Sequence, residues 1–417
     1  MNNYDKNLNN LINYFKSGIK EEKDKSLGVE LEHFIVKKSD LQSVDYYEKN
    51  GIKDILSLLS PYFDRKIYKD GNLIGLSKDK SNISLEPASQ LEISIGPFLK
   101  IEDILEEYNY FLLKINPILD KLGYKIVYSG YQPKSKIEDL NLIPKKRYEY
   151  MLHYFSKSGN YGKNMMKGSG STQVSVDYFS EEDFKRKFRL ANILSPLISL
   201  MTDNTVVFEG EVYKDNCARV KIWNDVDKDR SMIVKEALDK SFGFKEYAEY
   251  ILNSPAILVE DENGNSVYTG DKKIKDIYCD KEMDIKEIEH VISMFFPDVR
   301  LKNYVEIRMA DCMPICYALS YAAVIKGIFY GCNAVDILLE KFKNIRNEDV
   351  VKAKKNIIKD GYDASVYGFN AKTLICDIIK LAKENLHENE KDRVSLFLEL
   401  ANKGLTLKMI NEREMTI

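Results

Sequence analysis

The sequence predicts an α+β protein, and three observations carry that prediction. Short strands of alternating polarity recur through the first three-quarters of the chain. Strongly periodic helices separate them, and from 314 to 412 the apolar spacing is helical. With 417 residues, 44% of them hydrophobic, the chain can bury a substantial core as two or three average domains or as one large unit with insertions.

Charge and composition narrow the partners. The 62 basic residues face 65 acidic ones, with no block of Lys and Arg to track a phosphate backbone, so nucleic acid is excluded and small solutes are favoured. No stretch reaches the roughly 18 consecutive apolar residues of a membrane span, so no membrane partner is expected. Residues 1–25 are polar and amphipathic, with Leu8, Leu11, Ile12 and Phe15 at helical spacing. They lack the apolar core of a signal peptide, which predicts a cytoplasmic protein. The six cysteines (Cys217, Cys279, Cys312, Cys316, Cys332 and Cys376) are scattered and read as reduced thiols, without zinc spacing or a disulfide framework.

In chain order, a first helix spans about residues 5 to 20, and a strand begins at Gly28. Glu30 and Glu32 project from one face of that strand and Val29 and Leu31 from the other. His33 falls on the apolar side, reads as a structural residue, and is left out of the site. A helix (52 to 61) and a turn at Lys69, Asp70 and Gly71 precede a strand pair, with Glu86 where the second strand begins. In LEPASQLEISIGPF, Glu92 shares a face with Gln90 and Ser94, while Leu91, Ile93 and Ile95 point to the core.

A periodic helix covers 101 to 122, a short strand follows in YKIVYSGYQP, and IPKKRYEYM opens a helix whose Lys145, Lys146 and Arg147 could steer an anion. The glycines of GNYGKNMMKGSG fit no phosphate-binding spacing and predict a flexible loop. The strand after it sets Gln173, Ser175 and Asp177 on one face. Ser180 caps the next helix, with Asp183 three residues on. Arg219 and Arg230 flank the only tryptophan, Trp223; residues 244 to 258 hold a helix and a strand, and ENGN is a turn. In YVEIR, Glu306 and Arg308 share a face, which places a guanidinium beside a carboxylate and calls for phosphate charge between them if that carboxylate holds a metal.

Burying an ionised carboxylate costs several kcal/mol or more unless it is compensated, on the order of the ion desolvation penalty. Glutamates on three separate strands, a Gln on a fourth and several arginines therefore suggest a site for several Mg²⁺ ions and a nucleotide, since Mg²⁺ takes carboxylate and phosphate oxygens and arginines cover the remaining phosphate charge.

The segments GVELEHFIV, SLEPASQLEISIGPF, IPKKRYEYM with GKNMM, STQVSVDY, ARVKIWNDVDKDR and HVISMFFPDVRLKNYVEIRMAD resemble, in this order, the motif series of glutamate–cysteine ligases of the plant and proteobacterial type. The resemblance spans roughly residues 8 to 400. It implies a glutamine-synthetase-like carboxylate–amine ligase fold, an antiparallel sheet funnel with helices packed outside. It implies one catalytic domain over 1–417, with an N-terminal helix (1–25), a sheet core with inserted helices (26–312) and a mainly helical part (313–417).

The implied chemistry is phosphorylation of glutamate's side-chain carboxylate by ATP, then attack by the amine of cysteine, with glutamate, cysteine and ATP as small-molecule partners of a monomer or homodimer. Glu30, Glu32, Glu86, Glu92 and Glu306 are the implied Mg²⁺ ligands, and Gln173 a weaker nucleotide- or metal-site residue. Arg308 is placed on the transferring phosphoryl group, and Arg219 and Arg230 on phosphate or the glutamate carboxylate. Two departures leave the amine acceptor open: Ala88 and Ser89 replace the usual glycine-rich middle of their segment, and EIRMAD lacks the glycine many relatives have after the arginine. A guanidino kinase and a catalytically inactive nucleotide- or metal-binding relative are the alternatives outside this activity. The kinase's own motifs are not seen, and retention of every charged position argues against the inactive relative.

Overall fold

The computed structural model describes residues 2–415. Nine strands form one sheet: β1 (Leu27–Lys37), β2 (Arg65–Lys69), β3 (Asn72–Lys78), β4 (Ser81–Leu85), β5 (Leu91–Phe98), β6 (Tyr124–Val127), β7 (Ser171–Val176), β8 (Val299–Leu301) and β9 (Val305–Asp311). Their order is β8-β9-β7-β1-β5-β4-β3-β2, with β6 against the end of β1, and every pairing is antiparallel. The expected antiparallel sheet with helices around it is present. Its apolar face carries Val29, Leu31, Ile93, Ile95, Val174 and Ile307, each buried. This is the alternation that a pleated strand imposes when one face is packed.

The flanking helices follow their sequence signals closely. Asn2 accepts from the amide of Asp5 to start a helix at Asn3–Ser17. The helix Ile101–Leu122 ends where Gly123 turns left-handed at φ 75°. Ser180 caps Glu181–Met201 by accepting from the Asp183 amide, and the Asp183 carboxylate in turn accepts from the amide of Phe179. From the C-terminal part, the helix Ile315–Phe329 runs under the sheet and is buried from Ala318 onward. Among the described residues no single helix is long and apolar enough to cross a membrane.

Two local expectations need correction. Residues Gly162–Gly168 form a helix rather than a flexible loop, with Met165 and Met166 buried. The glycines are there for close approach: a Cβ on Gly162 would lie 2.5 Å from the Phe155 carbonyl oxygen, and one on Gly168 would lie 2.3 Å from the Tyr131 ring. Glu86 does not begin a strand. It opens a turn between β4 and β5, closed by the Gln90 carbonyl accepting from the Glu86 amide, and Ser89 sits there at φ 73°, the conformation that glycine takes without strain.

His33 is structural, as expected. It is fully buried, with Nδ1 3.0 Å from the Leu91 carbonyl oxygen and Nε2 2.8 Å from the Tyr108 hydroxyl, and burial pushes its pKa down to about 4. All six cysteines are free thiols.

Candidate active site

The polar face of the sheet lines a cavity of about 250 Å³. Glu30 and Glu32 reach it from β1, Glu92 from β5, Gln173 from β7 and Arg308 from β9, while Glu86 comes from the β4–β5 turn. Arg219 and Trp223 enter from the helix Ala218–Trp223, and Arg147 and Tyr148 from the helix Lys146–Ser158.

Strand register decides which carboxylates meet. Glu32 stands directly opposite Glu92 on neighbouring strands, a like-charge pairing that destabilises a sheet unless something offsets it. Glu32 accepts from the Ser171 amide (2.7 Å), the Ser171 hydroxyl (2.8 Å) and Gln173 Nε2 (3.1 Å). Glu92 Oε1 accepts from the hydroxyls of Ser84 (2.8 Å) and Ser94 (3.2 Å). Among the described residues, no hydrogen-bond donor or ion-pair partner meets the carboxylates of Glu30 and Glu86.

Burial, and then repulsion from Glu92, push the carboxyl of Glu30 up to about 7 and that of Glu86 to about 8. Burial raises Glu32 and Glu92 as well, the latter with Glu32 adding to the effect. Four oxygen-bearing side chains that repel one another, two of them without donors, are a donor set for a hard divalent cation. No group of three carboxylates, imidazoles or thiols among the described residues forms a ready-made cage.

The fifth glutamate is different. Glu306 is fully buried, and its Oε2 accepts from Arg300 Nε (2.8 Å) and Arg308 Nη1 (2.7 Å), while Lys302 Nζ lies 3.0 Å from Oε1. Burial alone would raise its carboxyl, but Arg300, Lys302 and Arg308 outweigh that and hold it well below the usual range. Glu306 does not line the cavity itself; it lies behind Arg300, Lys302 and Arg308, which do, as a neutralised carboxylate rather than an open ligand. Arg308 and Glu306 also touch directly, so the phosphate charge expected between them is not needed to seat that guanidinium. Nη1 of Arg308 donates to Gln173 Oε1 at 2.5 Å as well, which makes Gln173 a bridge between Glu32 and Arg308.

The arginines separate in role. Arg219 donates through Nε (3.3 Å) and Nη2 (3.2 Å) to the Arg308 carbonyl oxygen and packs over the Trp223 ring, while its buried Nη1 has no partner among the described residues. Arg230, in contrast, does not line the cavity. It is fully buried 2.5 Å from Asp227 and over the Tyr154 ring, so its placement on phosphate or on a substrate carboxylate is corrected: the local carboxylate three residues earlier already holds its charge.

Of the three bases at 145–147, only Arg147 faces the cavity, held by the Ser293 hydroxyl and carbonyl at 2.9 Å each. Lys145 donates to the Leu85 carbonyl oxygen beside Glu86, and Lys146 pairs with Glu149 at the surface. Arg300 and Lys302 were assigned no role from sequence. The signal that could have found them is the hairpin RLKNYVE, which sets Arg300 opposite Glu306 and Lys302 four residues before it.

A sheet cavity of glutamates and arginines, closed by outer helices, is the architecture of a carboxylate–amine ligase. A solved glutamate–cysteine ligase of Francisella tularensis, in complex with AMP, shares the fold with a TM-score of 0.57 at 12% identity, over 94% of this chain and 84% of that one. Residues 26–391 match the model of glutamate-cysteine ligase family 2 (GCS2), and the chain belongs to that family. It is a ligase. The chloroplastic glutamate–cysteine ligase B of Oryza sativa subsp. japonica is 30% identical over 398 residues, 94% of this chain and 79% of that protein. The chloroplastic enzyme of Nicotiana tabacum is 30% identical over 384 residues, 90% and 73% of the two chains.

These relatives also correct the expected location. Those of rice, tobacco and Arabidopsis thaliana are named chloroplastic, so the cytoplasmic expectation is not upheld. A polar, amphipathic N-terminal stretch does not assign a compartment.

Proposed function

We propose that the protein joins the γ-carboxylate of glutamate to the amine of cysteine through γ-glutamyl phosphate, consuming ATP and releasing γ-glutamylcysteine, ADP and phosphate, the first step of glutathione synthesis. The observation that carries this reading is the cavity in which Glu30, Glu32, Glu86 and Glu92 face Arg147, Arg219 and Arg308. Phosphoryl transfer to a carboxylate brings anions together, and it asks the protein mainly for charge neutralisation and alignment.

Glu30, Glu32, Glu86 and Glu92 would hold Mg²⁺, which when bound would neutralise phosphate charge. The chain's own groups do the rest. Arg308, its Nη1 fixed by Gln173 and Glu306, presents a preorganised guanidinium to the transferring phosphoryl group. Arg219, anchored to the Arg308 backbone with Nη1 unspent, takes a substrate carboxylate, and Arg147, anchored on Ser293, adds a second anion contact. Residues 1–417 act as one catalytic unit, and the reading requires neither nucleic acid nor membrane, nor more than a monomer or homodimer.

Phosphate release with ATP, Mg²⁺ and glutamate, with and without cysteine, tests it. Release is expected only when both amino acids are present. Release that is indifferent to glutamate, or requires an amine other than cysteine, overturns the assignment, as does no turnover.

The carboxylates also set a pH dependence. Glu30 and Glu86 fold with pKa values of about 7 and about 8, above their unfolded values, so the folded state binds more protons and the metal-free protein gains stability as pH falls from about 8 toward 6. Mg²⁺ binds the deprotonated carboxylates, so its stabilisation is expected to be larger at pH 8 than at pH 6. Melting curves in chelator and in Mg²⁺ at both values check this, and a Mg²⁺ effect that grows on acidification is the contrary result.

A further inference from the structure

Lys302 is at the edge of the cavity described above. Its neighbours Asn303 and Tyr304 line a second, of about 320 Å³, on the side of Ser26, Asn82 and Ser94. Glu30 lines both, and Lys302 holds its ammonium against Glu306 and the Tyr304 hydroxyl, 3.0 Å from each.

The three cations on Glu306 are not equivalent. Arg300 and Arg308 both bind Oε2 and are nearly closed off from solvent, with side chains 9% and 10% exposed. Lys302 alone meets Oε1, and its side chain is 22% exposed. A lysine ammonium is a compact charge on a flexible stem, whereas the guanidiniums are locked forks. Removing Lys302 would leave Glu306 compensated by two arginines at Oε2 and its Oε1 without an ion-pair partner, within electrostatic reach of the partnerless carboxylate of Glu30.

We propose that Lys302 is a displaceable counter-cation that occupies the Oε1 side of Glu306 until a divalent cation takes its place. The inference rests on the reading that these glutamates bind such a cation. It reconciles the place of Glu306 among the implied ligands with its neutralised state here: the ligand becomes open when the ammonium leaves. In the metal-free protein the ammonium competes with the metal, so deleting its charge strengthens metal binding.

The test is Mn²⁺ binding without nucleotide, read as free Mn²⁺ by electron paramagnetic resonance, on the wild type, Lys302→Met, Lys302→Gln, Lys302→Arg and Glu92→Gln. Lys302→Met and Lys302→Gln are expected to bind Mn²⁺ roughly five- to hundredfold more tightly than the wild type, the usual range of coupling between two sites. Lys302→Arg, which keeps the charge, is expected to stay near the wild type. Equal or weaker binding in the two neutral variants, with unchanged melting temperatures, overturns the proposal. Should the neutral variants fail in that way while the wild type binds and Glu92→Gln does not, the metal reading stands and Lys302 alone loses its role. If no protein binds Mn²⁺, the metal reading fails first and the proposal with it.

Discussion

Replacing Glu92 with Gln is expected to abolish turnover, a loss of about a thousandfold or more, while the protein stays folded. The substitution keeps volume and the oxygen that accepts from Ser84 and Ser94, so the local hydrogen bonds survive. What disappears is the negative charge that faces Glu32 across β1 and β5. Without metal the variant is therefore expected to melt at or above the wild-type temperature, because the repulsion that raises the carboxyls of Glu30 and Glu86 is weakened. The combination of unchanged or higher stability, lost Mg²⁺ stabilisation and lost turnover marks a metal ligand. Wild-type activity at saturating Mg²⁺ would remove Glu92 from that role.

Arg308→Lys is expected to lower kcat by about tenfold to a thousandfold, much more than it weakens ATP binding. Arg308 Nη1 is fixed at once by Gln173 and Glu306, which holds the planar fork in one orientation. A lysine keeps the charge but not the fork. Glu306 would retain Arg300 and Lys302, so the buried carboxylate stays compensated and the fold should tolerate the change. A variant with a lower melting temperature and an untouched kcat would show that Arg308 only braces Glu306, and that the phosphoryl group lies elsewhere.

The sequence by itself determined which residues of each strand share a face. Two-residue alternation put Glu30, Glu32, Glu92, Gln173, Glu306 and Arg308 on the polar faces of their strands, and it put their apolar neighbours in the core. Capping and helical spacing placed Glu181–Met201 and Ile101–Leu122 almost to the residue.

Only the tertiary structure decided which polar groups meet, because cross-strand register is set by hydrogen bonds between residues far apart in the chain. That register set Glu32 against Glu92 and Arg300 against Glu306, and so split five similar-looking glutamates into four that repel one another and one that is neutralised. Packing likewise decided that the glycine-rich segment lies as a helix, with its glycines where Phe155 and Tyr131 leave no room for a Cβ. It sealed Arg230 against Asp227 in the core. Burial and the nearest opposite charge, rather than residue type, separate the side chains that face the cavity from those that only hold it up.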